Sequence, residues 1–301
     1  MYIIQNPVRL PNNEAIRDPM IIRYDNRYYM VGTTKDFWDG PNPGVKLWTS
    51  DDLLNWKFVK LIIDSSKIGD DKPYKDRFWA PELFYHNKKF YCTFNAHNAS
   101  KTTTAEGQRS WVAVSDSIDG QYTIVEEPIY QGGFSNDAHL FEDEDGKVYI
   151  FLTIYGSIIR LNFDTETCKA YGNEQTVIKP GEKGEWDNAG IEGSFVVKRN
   201  GIYYHWYSSW TRTYEMGVAT TDDLSKPFVK SKNNPIISGY LTDSKMKFCG
   251  HNSCFKLIDG RDAVAFHTNG DDFEESLCIN IVEYPLEKTY APQEKIEIKN
   301  N

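Results

Sequence analysis

Five sequence repeats predict an all-β fold: a five-bladed β-propeller with four-stranded antiparallel blades around a central channel. Each repeat has a short apolar strand, a two-residue turn and an aromatic-rich strand. The second turn residue falls at Asn26, Asn87, Gly146, Gly201 and Gly260, which lie 55 to 61 residues apart. No stretch keeps a 3.6-residue apolar period, so we expect little helix.

Each repeat begins with a hairpin, because Asp-Gly, Asn-Gly and Asp-Asn pairs between apolar residues favour two-residue turns. The aligned hairpins begin at Asp18, Ala80, Asp137, Glu192 and His251. Further β-rich segments follow over 44–56, 110–122, 157–168, 216–228 and 277–290, and fourth strands are expected at segments such as 57–63 and 122–130. Closing five such units into a ring protects the sheet edges. Two tandem β-sandwiches remain the alternative, although no Pro/Gly/Ser-rich linker occurs near the middle.

Composition argues against two classes of partner. The chain has 34 Lys and Arg against 43 Asp and Glu, a net charge of −9, which removes the counter-ion release that favours nucleic-acid binding. The most apolar stretch, residues 149–159, is far shorter than the roughly 20 residues of a membrane-spanning helix. We therefore expect no nucleic-acid partner and no membrane partner, and the sequence does not predict an oligomeric state.

Cysteine usage bears on the cellular compartment. The five cysteines are an odd number without a CxxC pair, which favours reduced thiols over a disulfide framework or a zinc site. The first ten residues lack the basic and apolar segments of a secretory signal. We expect a cytoplasmic protein, and a secreted mature form remains the alternative.

Acidic residues occupy the first position of three of the five repeats. The first strand of each propeller blade lines the channel, so Asp18, Asp137, Glu192 and His251 are expected to converge, together with segment 78–82 of the second repeat. Three carboxylates in one narrow channel repel each other and resist desolvation. A structural role would favour apolar or small residues there, so the cluster predicts a functional site.

The order of the blades predicts roles for these carboxylates. Asp137 and Glu192 open neighbouring blades, so a charged Asp137 would raise the pKa of Glu192 and keep it protonated, as a general acid requires. Asp18 opens a blade adjacent to neither, which leaves room for a water between Asp18 and the acid. Carboxylates roughly 6.5–9.5 Å apart with a water between them are typical of inverting glycosidases. Aromatic rings at the mouth of the channel would offer faces for sugar rings.

The motifs at 17–19, 78–84, 136–151, 192–208 and 250–253 together resemble glycoside hydrolase family 43, the five-bladed arabinofuranosidases, xylosidases and arabinanases. The resemblance covers residues 14 to about 285 and implies a single catalytic domain over residues 1–301. It implies that Asp18 is the general base, Glu192 the general acid and Asp137 the residue that tunes the pKa of the acid.

The resemblance also bears on cofactors. It implies no cofactor for the chemistry, and it implies that His251 helps to hold a structural calcium ion at the channel centre. Calcium prefers oxygen ligands, so a buried, hydrogen-bonded histidine is the alternative interpretation of His251.

Six residues are candidates for substrate binding. Trp79 resembles the sugar-stacking platform of the family. The others lie in the loop over 36–44, just before Asp137 or at the end of a second strand: Phe37, Trp38, Phe134, Asn136 and His267.

These observations predict an inverting glycoside hydrolase that releases a terminal pentose, first α-L-arabinofuranose, from arabinose- or xylose-containing oligosaccharides. Many xylosidases of the family carry a C-terminal β-sandwich, and the residues after about 290 are too few for one, which favours arabinose over xylose. A β-D-xylosidase, an endo-arabinanase, a retaining enzyme and a non-catalytic carbohydrate-binding propeller remain alternatives.

Overall fold

Antiparallel sheets follow one another along the chain, as the repeats predict. The structure is a computed structural model that describes residues 1–38 and 41–299. Strand β1 (Tyr2–Gln5) and a 3-10 turn (Pro11–Asn13) precede blade 1, which comprises β2 (Ile16–Tyr24), β3 (Arg27–Thr34), β4 (Gly44–Ser50) and β5 (Lys57–Asp64). A second 3-10 turn (Ser65–Lys67) leads to blade 2, which comprises β6 (Asp76–His86), β7 (Lys89–His97), β8 (Arg109–Ser115) and β9 (Thr123–Ile124). The four-residue helix α1 (Thr104–Gly107) lies between β7 and β8.

The remaining blades repeat this order. Blade 3 comprises β10 (Asn136–Glu142), β11 (Val148–Ile154), β12 (Ser157–Asp164) and β13 (Lys169–Ile178), and blade 4 comprises β14 (Ile191–Arg199), β15 (Ile202–Ser209), β16 (Glu215–Thr221) and β17 (Val229–Lys230). Blade 5 comprises β18 (Lys247–Lys256), β19 (Asp262–Gly270) and β20 (Phe273–Val282), and the last strand is β21 (Lys295–Ile298). The first strands of successive blades pack together, and β18 packs on β2. The predicted five-bladed propeller is confirmed.

The N-terminal segment completes blade 5, which has three strands of its own. The backbone N–H of Val8 donates to the carbonyl of Leu277 in β20 at 2.7 Å, and the buried side chain of Asn6 bonds the backbone of Ile279 in both directions. Strand β1 then pairs with β21. The two ends of the chain therefore close the ring together.

The aromatic residues that recur in the repeats mostly fill the blades and the spaces between them. The largest fully buried side chains include Trp48, Trp111 and Trp206. All five cysteines lie buried as free thiols. Across residues 1–38 and 41–299, no helix is long and apolar enough to cross a membrane.

A bulge interrupts the first strand of every blade at the same place. The residue at each bulge has a positive φ: 52° at Asp18, 45° at Ala80, 51° at Asp137, 69° at Gly193 and 52° at His251. Such bulges re-aim side chains next to active sites. The sequence alignment placed Glu192 at this position, whereas the structure places Gly193 there and Glu192 one residue earlier.

Candidate active site

A pocket of about 340 Å³ lies where the five bulges meet. It brings together the three predicted carboxylates, His251 and five of the six predicted substrate residues. The side chains that line it are those of Arg17, Asp18, Phe37, Trp38, Trp79, Ala80, Thr104, Gln108, Phe134, Asn136, Asp137, Glu192 and His251.

Asp18 is buried and held from three sides. Its Oδ2 accepts a 2.6 Å hydrogen bond from the Thr33 hydroxyl, and its Oδ1 lies 3.4 Å from Nδ1 of His251. Its backbone N–H donates to Nδ1 of His267 at 3.1 Å. Burial alone would raise the pKa of Asp18, but the charge of His251, the guanidinium of Arg17 and the Thr33 hydroxyl lower it below its ordinary value. Asp18 is therefore a carboxylate at neutral pH.

Asp137 bridges two neighbouring blades. Its Oδ1 accepts from the Asn95 amide of blade 2 at 2.8 Å, and its Oδ2 accepts from the backbone N–H of Gly193 in blade 4 at 3.0 Å. Its own N–H donates to Asn95 Oδ1 at 2.9 Å. Burial raises the pKa of Asp137; His251 opposes this shift, and the nearby charge of Asp18 adds to it. These bonds fix the Asp137 carboxyl against the backbone next to Glu192.

Glu192 lies partly exposed on the pocket wall. Its Oε1 accepts a 2.7 Å hydrogen bond from the hydroxyl of Tyr214. Burial raises the pKa of Glu192 to about 7, and the negative charge of Asp137 is the next largest cause. The effect of Asp137 thus has the direction expected from the blade order, but burial contributes more. A substantial fraction of Glu192 therefore carries a proton at neutral pH.

His251 faces two of the carboxylates. Its Nδ1 lies 3.4 Å from Asp18 Oδ1 and 3.9 Å from Asp137 Oδ2, and its backbone N–H donates to the Ser208 hydroxyl at 2.9 Å. Burial by itself lowers the pKa of His251, but Asp18 and Asp137 raise it above its ordinary value. The two carboxylates therefore favour the protonated form of the buried His251 ring.

The residues around His251 give no support to the calcium ion that the family resemblance implies. Calcium prefers oxygen ligands, and Nδ1 of His251 faces carboxylate oxygens of Asp18 and Asp137. Over the described part of the chain, no three His, Cys, Asp or Glu side chains are grouped so that they could hold a metal ion. The calcium site stays an unconfirmed prediction, and no step below depends on it.

Predicted aromatic residues form one wall of the pocket. The indole N–H of Trp79 donates to the carbonyl of Phe37 at 2.8 Å, and the ring centroids of Trp79 and Trp38 lie 6.2 Å apart. Phe37 is buried, whereas the Trp38 side chain is 62% exposed. Phe134 stacks on Tyr155 with centroids 5.3 Å apart. Residues 39 and 40 of the predicted rim loop lie outside the described residues.

His267 has a different position from the other predicted substrate residues. It is buried and lines a neighbouring cavity instead of the pocket itself. Its Nδ1 accepts the backbone N–H of Asp18, so the ring carries its proton on Nε2. Burial and the charge of Arg17 lower the pKa of His267 well below its ordinary value. The neutral ring supports the bulge at Asp18, and its role in substrate binding stays a prediction.

The sequence analysis did not identify the pocket residues Arg17 and Gln108, nor Tyr214, which bonds Glu192. Arg17 lies 4.9 Å from the Trp38 ring centroid and 3.3 Å from Glu275 Oε1; its place beside Asp18 in the Arg-Asp-Pro motif could have indicated it. Gln108, after helix α1, donates to Asn136 Oδ1. Tyr214 and Gln108 lie in connections between strands, where the repeat pattern carries no information about side-chain position.

Comparisons with known proteins identify the family of the chain. A family model described as Glycosyl hydrolases family 43 matches residues 4–288. A protein of Vibrio sp named Xylan 1,3-beta-xylosidase is 27% identical over 264 residues, which are 82% of this chain and 46% of that protein. An extracellular exo-alpha-(1->5)-L-arabinofuranosidase of Cellvibrio japonicus is 21% identical over 295 residues, which are 84% of this chain and 78% of that protein.

Solved structures agree as well. The crystal structure of a thermostable family-43 glycoside hydrolase has a TM-score of 0.79 and 28% sequence identity to this chain, with 93% of each chain covered. The chain spans about half the length of the first curated relatives it matches. The family model and the fold agree with the sequence motifs, and the chain belongs to glycosyl hydrolase family 43.

Proposed function

We propose that the chain hydrolyses glycosidic bonds with inversion and releases a terminal pentose from arabinose- or xylose-containing oligosaccharides. The observation that carries the proposal is the contrast between two carboxyl groups of one pocket. The surroundings of Asp18 favour its charged form, whereas those of Glu192 favour its protonated form. Such a pair supplies a base and an acid at the same pH.

The proposed reaction is a single displacement. Asp18 accepts a proton from a water molecule as the water oxygen attacks the anomeric carbon. The bond from that carbon to the leaving oxygen breaks, and Glu192 gives its proton to the leaving oxygen. Burial and the negative charge of Asp137 raise the pKa of Glu192, and Nδ1 of His251 faces carboxylate oxygens of both Asp18 and Asp137. Both carboxyl groups then recover their protonation states from solvent.

The size of the pocket supports a terminal sugar as the released group. Its volume of about 340 Å³ is near the lower end of the range for small-molecule sites, roughly 300–1,000 Å³. Trp79 and Trp38 offer apolar faces for a sugar ring, and Asn136 and Gln108 offer amide groups for its hydroxyls.

α-L-Arabinofuranose is our first candidate for the released pentose, and β-D-xylose is the second. The names of relatives support both, since one is an arabinofuranosidase and another a xylosidase. A panel of 4-nitrophenyl α-L-arabinofuranoside, 4-nitrophenyl β-D-xyloside and the matching oligosaccharides would separate the two. The larger kcat/KM identifies the preferred pentose.

Proton NMR of the first-formed sugar tests the mechanism. The released pentose should have the anomeric configuration opposite to that of the substrate. Retention would contradict Asp18 as a base. Binding of these sugars without turnover would instead favour the non-catalytic carbohydrate-binding protein.

A further inference from the structure

The residues immediately before the five bulges form a ring around the pocket. In chain order they are Arg17, Trp79, Asn136, Glu192 and Gly250. All but Gly250 line the pocket. Neighbouring side chains of a regular strand point to opposite faces, so it is the bulge that brings Arg17 into the same pocket as Asp18. The position before the bulge therefore places a side chain in the pocket in each blade that has one there.

Tyr214 fills the space of the fifth position. A Cβ at Gly250 would lie 2.0 Å from Cδ1 of Tyr214, so the glycine leaves room for the Tyr214 ring. The Tyr214 hydroxyl in turn bonds Glu192. The other side chains of the ring have proposed roles in sugar binding or as the acid, and Arg17 is the member to which no role is assigned.

The guanidinium of Arg17 has unused hydrogen-bonding capacity. Its side chain is 18% exposed, and its Nη1 lies 3.3 Å from Glu275 Oε1. Within residues 1–38 and 41–299, Glu275 is the one residue that accepts a hydrogen bond from this guanidinium. A guanidinium is planar and has several N–H donors but no acceptor. The remaining donors of Arg17 can therefore bind an oxygen atom of the substrate.

The charges near Arg17 determine which kind of oxygen it can bind. Burial lowers the pKa of Arg17, but the charges of Asp18 and Glu275 help to raise it above its ordinary value, so the guanidinium is charged. The same carboxylates would repel an anionic group of a substrate. A neutral sugar hydroxyl therefore fits Arg17 better than a carboxylate or a phosphate.

The position of Arg17 indicates which hydroxyl it binds. A second cavity of about 510 Å³ adjoins the pocket, and Arg17, Trp38 and Glu192 line both spaces. Glu192 gives its proton to the leaving oxygen, so the bond that breaks lies at this boundary, beside Arg17. In both candidate pentoses the hydroxyl nearest this bond is the 2-hydroxyl, on the carbon next to the anomeric carbon. Hydrogen bonds to the 2-hydroxyl strengthen in the transition state of glycoside hydrolysis.

We propose that Arg17 donates a hydrogen bond to the 2-hydroxyl of the reacting pentose, and that Glu275 orients its guanidinium. The proposal rests on the proposed glycosidase function and adds a residue that selects substrates with a free 2-hydroxyl. A pentose that lacks this hydroxyl leaves a charged donor unpaired, so its hydrolysis should be slow.

The test removes the guanidinium and the 2-hydroxyl separately and together. The substrates are the 4-nitrophenyl pentoside that the wild-type protein prefers and its 2-deoxy analogue, and the variant is Arg17→Met, which keeps an unbranched side chain. We expect kcat/KM of the variant to fall about 10- to 100-fold on the pentoside but less than about threefold on the 2-deoxy analogue. Loss of the Arg17 charge also changes the pKa of Asp18, but this change affects both substrates and cancels in their ratio.

Two further variants complete the comparison. Arg17→Lys keeps the charge but loses the planar fork, so its ratio of kcat/KM for the pentoside to kcat/KM for the analogue should lie between those of the wild type and Arg17→Met. Arg27→Met is the matched control and should keep the wild-type ratio. Arg27 lies in the same blade, but its side chain is 43% exposed and pairs with Asp51 at 2.7 Å outside the pocket.

The outcomes separate this inference from the proposed function. If the wild-type protein cleaves the pentoside and Arg17→Met loses the same factor on both substrates, Arg17 does not bind the 2-hydroxyl and the proposed function stands. The same conclusion follows if neither variant of Arg17 changes the ratio. If the wild-type protein cleaves no pentoside, the proposed function fails, and the role of Arg17 fails with it.

Discussion

Asp18 and Glu192 show how identical functional groups acquire different protonation states. Asp18 has the His251 ring, the Arg17 guanidinium and the Thr33 hydroxyl nearby, and together they lower its pKa although burial raises it. Glu192 accepts a hydrogen bond from the Tyr214 hydroxyl, but burial together with Asp137 outweighs the effect of this bond on its pKa. The surroundings of each side chain therefore assign the base and the acid more than residue type does.

The pKa of Glu192 predicts the alkaline limit of activity. The protonated form is the active one, so kcat/KM should fall as pH rises through about 7, by about tenfold per unit beyond it. The acidic limit should lie below the ordinary pKa of Asp, because that of Asp18 is lowered. A pH profile of kcat/KM on an oligosaccharide measures both limits.

Glu192→Gln should remove the alkaline limit and reduce kcat by roughly 10² to 10⁴ on substrates with poor leaving groups. The loss on nitrophenyl pentosides should be smaller, because their leaving group needs little protonation. Glu166→Gln, at an exposed turn, is the control. An equal loss on all leaving groups would contradict the role of Glu192 as acid.

Tyr214→Phe should shift the alkaline limit upward. The Tyr214 hydroxyl stabilises the charged form of Glu192, so its removal raises the pKa of Glu192, and we expect a shift of roughly half to one pH unit. The same bond occupies Oε1 and leaves Oε2 to carry the proton, so we expect kcat to fall about tenfold. Tyr91→Phe, which loses a hydroxyl bonded to Thr165 far from the pocket, is the matched control. An unchanged pH profile in Tyr214→Phe would show that Tyr214 only packs.

The bulges are the elements that build the site. In each blade the backbone N–H at the bulge donates to a side chain of the preceding blade; Asn95, Asp137 and His267 are three of these acceptors. The acceptor for Gly193 is the carboxylate of Asp137 itself. The bond that joins blade 3 to blade 4 therefore also positions the carboxyl group next to the acid.

Gly193→Ala tests the bulge of blade 4. An L side chain at a φ of 69° costs about 1–2 kcal/mol, and the new Cβ would lie 3.4 Å from the His251 ring. We expect that loss of stability in denaturant unfolding and, because His251 faces both Asp18 and Asp137, a fall of about tenfold in kcat/KM.

Gly201→Ala is the matched control for this change. Its φ is 79°, but a Cβ there would meet no heavy atom within 4 Å. It should lose similar stability and keep its activity. If both variants keep full activity, the packing of Gly193 against His251 does not influence catalysis.

At the scale of the whole molecule, the ring depends on contacts between the two ends of the chain. Asn6 is the centre of this closure. Its Nδ2 donates to the carbonyls of Ile279 and Gln293 at 2.6 Å each, and its Oδ1 accepts the N–H of Ile279 at 3.1 Å. Because Asn6 is buried, few waters could replace these bonds.

Asn6→Ala should therefore destabilise the protein by about 2–4 kcal/mol, since it leaves several buried backbone groups without partners. Denaturant unfolding measures the loss, and kcat/KM of the folded variant should not change. Gln5→Ala is the control, because the Gln5 side chain is exposed and donates to the carbonyl of Glu294, and its loss should cost less than about 0.5 kcal/mol. Equal stability of the two variants would show that Asn6 does not control closure.

The sequence predicted the blades and the channel cluster well, for a local reason. Two-residue turns and alternating apolar residues recur in every blade, so the bulge residue of each first strand could be located to within one position. The single error in alignment, Glu192 against Gly193, arose because a bulge adds a residue that the period-two pattern does not mark. The sequence also did not predict that the N-terminal segment completes blade 5, because that segment contains no repeat motif.

By itself, the sequence determined the number of blades, the family and the carboxylates that meet in the channel, because these follow from motifs that each lie within one strand or turn. Only the tertiary structure decided the protonation states of Asp18 and Glu192, the contacts of Arg17 and Tyr214 and the second cavity beside the acid. Those properties depend on distances between side chains from different blades, and closure of the ring sets these distances.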